Sequence, residues 1–275
     1  VITDNPNAAE FASWYSYKRF ARSVSSENRY ILGLEEKAFL ETVLSTIRDR
    51  DVELATGEIF YRAQLGVDLA PITDSDGNYI DDDVCGYPAK RMKPLADRAR
   101  EGRANPTGIP VLYVADTVET AVSEVRPWVG ADLSVAECRV LRPLNTLDLS
   151  VGHGRSSFSG PVLRHMLGGP PLSKEEKENA VWTDIDNAFS QPVTHSDDRA
   201  DYAPTQMLAE LFRKQGYDAI RYKSQFGDAE QVKGYNIAIF NPDDVEIVSC
   251  GPYKVKSIKV TSQQTGQEWH RSPIQ

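Results

Sequence analysis

Three separated stretches place a polar side chain in an apolar setting, where it could do chemistry. The first is FYRAQLG, with Arg62 inside a β-prone run. A buried guanidinium is costly unless it is paired, and its planar fork suits a small anionic ligand. The second is GRANPTGIPVLYVADTVETAVSEVRPW, residues 102–128, which carries Arg103, Tyr113 and Glu124. The third runs from Asp201 to Phe240 and carries Gln206, Ser224 and Asn236. Each has an ordinary alternative. Arg62 could be an edge-strand arginine facing solvent, Glu124 a solvated helix residue, and Ser224 and Asn236 turn residues. Other chemistries lack their patterns. No nucleophile elbow precedes a Ser-His-Asp order. His153, His165, His195 and His270 make no metal spacing, and only His195, in a polar loop, is placed to touch a ligand. Cys85, Cys138 and Cys250 are odd in number and widely spaced, which indicates neither a disulfide framework nor a zinc set.

These residues need elements to hold them. Aromatic and apolar residues recur at roughly helical spacing over 7–24 (Phe11, Trp14, Tyr15, Phe20) and 34–50 (Phe39, Leu40, Val43, Leu44, Ile47), which predicts two N-terminal helices. Residues 58–66 read as a strand. Residues 68–102 read as a long loop, and the acidic run at Asp81, Asp82 and Asp83 lacks the pattern of a calcium loop. IPVLYVAD at 109–116 reads as a buried strand bearing Tyr113. Asp116 with Glu119 suggests a capping box for a helix whose face is Val118, Ala121, Val122 and Val125, with Glu124 just off that face. Pro127 ends it. SVAECRVL at 134–141 is the next strand, and LNTLDLS could continue it. A helical insert covers 160–190, with a second capping box at Ser173 and Glu176. The helix TQMLAELFRKQ stops at Gly216. Strands follow at 218–224, 235–240 and 245–250, and the basic tail KVKSIKV reads as an edge strand or extended arm. This mixture lacks a βαβ rhythm, so it predicts an α+β fold. Gly152-His153-Gly154 lacks the spacing of a dinucleotide fingerprint.

The chain has 275 residues and a net charge of -9, which argues against nucleic acid or an acidic membrane as main partner. No run is long and apolar enough to span a bilayer, and the first residues, VITDNPNAAEF, are polar. With the cysteine pattern, this makes a reducing cytoplasm the expected compartment.

Taken in order, YRAQLG, the block 102–128, and DYAPTQMLAELFRKQGYDAIRYKS followed by GYNIAIFNP resemble the RES-domain family, named for its Arg, Glu and Ser. The resemblance runs from about residue 57 to 248. It implies an ADP-ribosyltransferase-like mixed β-sheet core, here with a helical N-terminal region. The expected parts are the helical region at 1–52, the RES domain at 53–260 with inserts at about 68–102 and 150–195, and a tail at 261–275. It also implies NAD⁺ breakdown, usually as the toxin of a bacterial toxin–antitoxin pair whose antitoxin is a helix-turn-helix protein. NAD⁺ is then substrate, and no cofactor or metal is implied. Arg62, Tyr113, Glu124 and Ser224 carry over as the catalytic set, with Arg103, Gln206 and Asn236 as further NAD⁺ contacts. Loss of nicotinamide leaves an oxocarbenium-like ribose, which a carboxylate such as Glu124 would stabilise. Arg62, helped by Arg103, would bind the pyrophosphate. Tyr113 would stack on the nicotinamide or bond the ribose, and Ser224 would bind the amide or orient the ribose. A transferase placing ADP-ribose on a protein or metabolite, and a non-catalytic NAD-binding module, remain the alternatives. The helical N-terminus, both inserts and the eleven residues between Ser224 and Asn236 depart from the compact family members.

Overall fold

The computed structural model describes residues 10–95, 98–190, 199–225, 234–259, and 262, 264–266 and 268. In chain order the elements are α1 (Ser16–Ser26), α2 (Leu34–Ser45), β1 (Asp51–Leu54), β2 (Ile59–Leu65), β3 (Asp68–Thr73), β4 (Tyr79–Cys85), β5 (Leu112–Ala115), α3 (Val118–Glu124), β6 (Asp132–Val140), β7 (Leu144–Asp148), α4 (Gly160–Met166), α5 (Lys174–Ser190), α6 (Ala203–Lys214), β8 (Ala219–Lys223), β9 (Tyr235–Ile239) and β10 (Val245–Lys254). Eight strands form one mixed sheet in the order β1-β7-β8-β9-β5-β2-β6-β10. Only β7 and β8 run parallel, and the crossover between them carries α4, α5 and α6. This is the α+β architecture expected of the sequence.

One apolar cluster takes Leu54 from β1, Phe60 from β2, Leu112 from β5, Cys138 from β6, Ile237 from β9 and Val245 from β10. One face of the sheet thus reaches a common core from both of its edges, so the sheet curls over that core. A second cluster lies under α1, α2, α5 and α6, against Leu147, Ile220 and Ala238. The aromatic residues near the N-terminus serve this core. Tyr17, Phe20 and Val24 are the buried face of α1, and Phe20 stacks on Phe39 of α2 with centroids 4.6 Å apart. Tyr15, one of the expected stripe, is exposed instead.

Several local expectations need correction. Residues 68–85 are not loop but the hairpin β3–β4, with Leu69 opposite Val84 and Ala70 opposite Asp83. Its turn closes because Asp74 Oδ1 accepts the N–H groups of Asp76 and Asn78, and Gly77 takes φ +84°. Asp81, Asp82 and Asp83 are exposed strand residues of β4. The cap of α3 is Thr117, whose hydroxyl accepts from the Thr120 N–H at 3.1 Å. Asp116 is drawn away by β9, where its carboxylate accepts the N–H groups of Gly234 and Tyr235. LNTLD does not continue β6; it crosses to the far side of the sheet as β7, between β1 and β8. The insert at 160–190 is two helices, parted at Gly168-Gly169-Pro170-Pro171. KVKSIKV contributes only Lys254 to the edge strand β10. The Ser173–Glu176 box forms in both directions, at 3.2 and 2.8 Å. Gly216 follows α6 with φ +96°.

A buried ion pair ties these layers together. Arg50, just before β1, donates to both oxygens of Asp186 on α5, at 2.8 and 3.2 Å, and to the Asp148 carbonyl at the end of β7. Gly152 N–H completes the Asp186 carboxylate at 2.7 Å. A Cβ on Gly152 would come within 2.8 Å of Asp186 Oδ2 and 2.9 Å of Thr183 Cα. The Gly-His-Gly stretch is therefore a close approach to α5. Asp186→Ala leaves a buried guanidinium and a backbone N–H without this partner. We expect it to cost about 3–5 kcal/mol in urea unfolding.

Candidate functional site

The site lies where the sheet comes apart. β2 pairs with β6 over seven positions, and β5 with β9 over four, but β2 and β5 share only Tyr61 opposite Ala115. Beyond that pair the strands diverge, and a cleft of about 460 Å³ opens beside them. That volume falls within the range of ~300–1,000 Å³ usual for small-molecule sites. Arg62, Arg103, Tyr113, Glu124, Tyr202, Tyr222 and Asn236 are among its walls. A second cleft of similar size lies between α1 and α2, but its Arg19 and Glu35 neutralise each other at 2.6 Å.

Arg62 reaches across the parted strands and donates from Nη1 to the Tyr113 carbonyl at 2.8 Å. Its Nε is buried with no hydrogen-bond partner, and no carboxylate pairs with it among the described residues. Burial pulls its pKa down from the ordinary arginine value, though a guanidinium stays charged throughout the working range. The cleft therefore holds a partly desolvated cation whose hydrogen bond goes to a neutral carbonyl.

Glu124 is the last residue of α3, whose Ala121 packs on Ala63, Ala115 and Val135. After it the chain turns sharply, with Arg126 at φ +47° immediately before Pro127. Two donors converge on a single oxygen of Glu124. Ser224 Oγ, just past β8, donates to Oε1 at 2.6 Å, and Asn236 Nδ2 on β9 donates to the same atom at 2.6 Å. Ser224 and Asn236 are themselves buried. The carboxylate is fixed through one oxygen, while Oε2 has no hydrogen-bond partner among the described residues. Asp116 serves this arrangement from behind, because its bonds to Gly234 and Tyr235 set the start of the strand bearing Asn236.

The opposite wall is the loop 100–109. Asn105, buried, donates to the carbonyls of Arg100, Pro106 and Ile109 and accepts the Tyr113 hydroxyl at 2.7 Å. That hydroxyl in turn accepts the Ala104 N–H at 2.9 Å. Gly102 passes so close that a Cβ there would stand 2.6 Å from the tyrosine oxygen. Gln206 of α6 does not line the cleft. It sits behind the loop and gives its amide N–H groups to the carbonyls of Gly102 and Asn105, at 2.9 and 3.0 Å. Arg103, between these fixed points, donates to the Ala188 carbonyl at 2.6 Å and lies 5.8 Å from the Tyr202 ring centre.

Of the seven residues singled out from the sequence, six line the cleft or bond directly to Glu124, and Gln206 stands one layer back. Sequence reasoning passed over Asn105, whose only signal is an asparagine before proline in a glycine-bounded loop. It also passed over Tyr202 and Tyr222, which look like core aromatics. Neither His153 nor His165 lines the cleft. His195 and His270 lie outside the described residues. Among the described residues no three His, Cys, Asp or Glu side chains stand together as a metal site, the three cysteines are free thiols, and no helix is long and apolar enough to cross a membrane.

No curated protein sequence matches the chain. The crystal structure of the M. tuberculosis MbcT–MbcA toxin–antitoxin complex contains a similar chain at 14 % identity and a TM-score of 0.35, covering 74 % of this chain and 87 % of that one. The RES domain profile matches residues 83–255. That stretch holds Arg103, Tyr113, Glu124, Ser224 and Asn236, while Arg62 precedes it and joins the cleft through β2. A match over more than half the sequence makes this chain a member of the RES domain family.

Proposed function

We propose that this protein consumes NAD⁺ by breaking the bond between nicotinamide N1 and ribose C1′. The observation that carries the reading is Glu124, held through Oε1 by Ser224 and Asn236 with Oε2 open, in the same cleft as Arg62 and Arg103. Neither arginine has a carboxylate partner among the described residues. A diphosphate substrate would supply that missing charge. The bonding electrons leave with nicotinamide, which becomes neutral, and positive charge develops on the ribose. Glu124 Oε2 stabilises that charge or holds a ribose hydroxyl. Water attacking C1′ gives ADP-ribose and a proton; phosphate attacking there gives the ADP-ribose phosphate ester. The Tyr113 hydroxyl is already engaged, so its ring face is the part left for the nicotinamide or ribose.

Family membership supports the further reading of a growth-arresting, cytoplasmic toxin whose partner is a helix-turn-helix antitoxin. Incubation with NAD⁺ labelled on adenine tests the chemistry. Free nicotinamide with the label in a small soluble product is the expected result. Label on a macromolecule would favour a transferase, and intact NAD⁺ would overturn the reading.

Two substitutions separate the roles. Glu124→Gln should slow nicotinamide release by about 10²–10³-fold, because it removes charge that acts on the transition state. Its NAD⁺ affinity by calorimetry should shift less than about threefold. Arg62→Ala should weaken NAD⁺ binding by about 10–100-fold, the loss of one charged hydrogen bond of roughly 1.5–3 kcal/mol. Unchanged affinity there would remove the phosphate assignment.

A further inference from the structure

We infer that Gln206, Asn105 and the Tyr113 hydroxyl form a clamp whose purpose is to present Arg103 to the cleft, and that Gln206 and Asn105 are positioning residues for the diphosphate. The inference deepens the NAD⁺ reading and rests on it. Residue 103 is bracketed by restraints on both sides. Gly102 and Asn105 form an isolated β-bridge, and both of their carbonyls accept from the one buried amide nitrogen of Gln206. Ala104 N–H donates to the tyrosine oxygen, and that hydroxyl donates onward to Asn105 Oδ1. Asn105 makes three further donations within its own loop. Such an investment in one turn is unusual for an exposed connection, whose backbone groups water would satisfy.

What the clamp leaves over is the side chain of Arg103. Its neighbours Gly102, Ala104 and Asn105 are all tied down. The guanidinium is steadied from the far side by the Ala188 carbonyl of α5 and lies near the Tyr202 ring. One hydrogen bond from Nη1 leaves other donors of the fork for a ligand. An arginine held this way loses little freedom when it meets a phosphate, so fixing the loop lowers the entropic cost of binding. The clamp also gives Tyr113 a part distinct from substrate contact. Its hydroxyl is a strut of the loop, and only its ring belongs to the cleft.

A double-mutant cycle tests this. Gln206→Met keeps the length of the side chain and removes both donations. NAD⁺ affinity by calorimetry should fall about tenfold, the loss expected when a charged contact worth roughly 1.4 kcal/mol is mispositioned. The KM for NAD⁺ should rise with it, and kcat should stay within about threefold, unlike the Glu124 variant. In an Arg103→Ala background the same substitution should cost nothing further, because Gln206 acts through Arg103. A full additional loss in that background, or a fall confined to kcat, would overturn the positioning role. Hydrogen exchange at the amides of residues 102–105 reads the clamp without NAD⁺. Exchange there should accelerate in Gln206→Met and in Tyr113→Phe. Unaltered exchange would overturn the clamp even if NAD⁺ is turned over. Faster exchange in a protein that does not bind NAD⁺ would support the clamp and sink the NAD⁺ reading.

Discussion

Between β2 and β5 the sheet holds together by one residue pair, Tyr61 with Ala115. The candidate site follows from that weak join. A continuous sheet would have satisfied its backbone groups strand to strand and left no room beside it. Here the strands part, and the guanidinium of Arg62 takes a carbonyl that lies across the gap. The chain can maintain the opening because both halves are secured elsewhere. β2 rests on β6 over its length, β5 rests on β9, and both halves send side chains into one core. The cleft is thus a place where backbone pairing has been exchanged for a side chain, and that side chain is charged.

The charges around the opening are arranged asymmetrically. Glu124 has its position set by neutral donors, a serine hydroxyl and a carboxamide, which orient a carboxylate without neutralising it. Arg103 is steadied by a carbonyl and an aromatic ring, which likewise leave its charge intact. Elsewhere the molecule behaves differently. Arg50 meets Asp186, and Arg142 meets both Asp218 and Asp244, so these two cations are matched by anions. The contrast separates these paired charges from those of the cleft, which are held by neutral partners.

Much of this was legible from residue order. The Ser173–Glu176 box, the glycine after α6, and the strands bearing Tyr113 and preceding Ser224 follow from local chemistry, and local chemistry was enough. The hairpin β3–β4 escaped because periodicity reports burial, and nearly all of its residues face water on both sides. Asp116 escaped for a different reason. A capping box is a local motif, but its carboxylate was claimed by Gly234 and Tyr235, more than a hundred residues away. Gln206 showed as a residue near the site but not as a strut, because nothing local distinguishes a glutamine that touches substrate from one that touches two carbonyls. The placement of β7 beside β8 lay beyond any window of sequence, since it depends on a crossover through three helices.

The distance along the chain between Glu124 and the groups that orient it has a consequence for how the protein comes into being. Ser224 is 100 residues later and Asn236 is 112 residues later. The carboxylate emerges from the ribosome long before either donor exists. The half of the sheet that carries them cannot close until β8 has returned alongside β7. Long-range pairing of this kind is slow, since the loop must close before its contacts repay the cost. An unfinished chain therefore possesses the acid and lacks its bearings. The surroundings of Glu124 are assembled late, only once β8 and β9 have been made and paired.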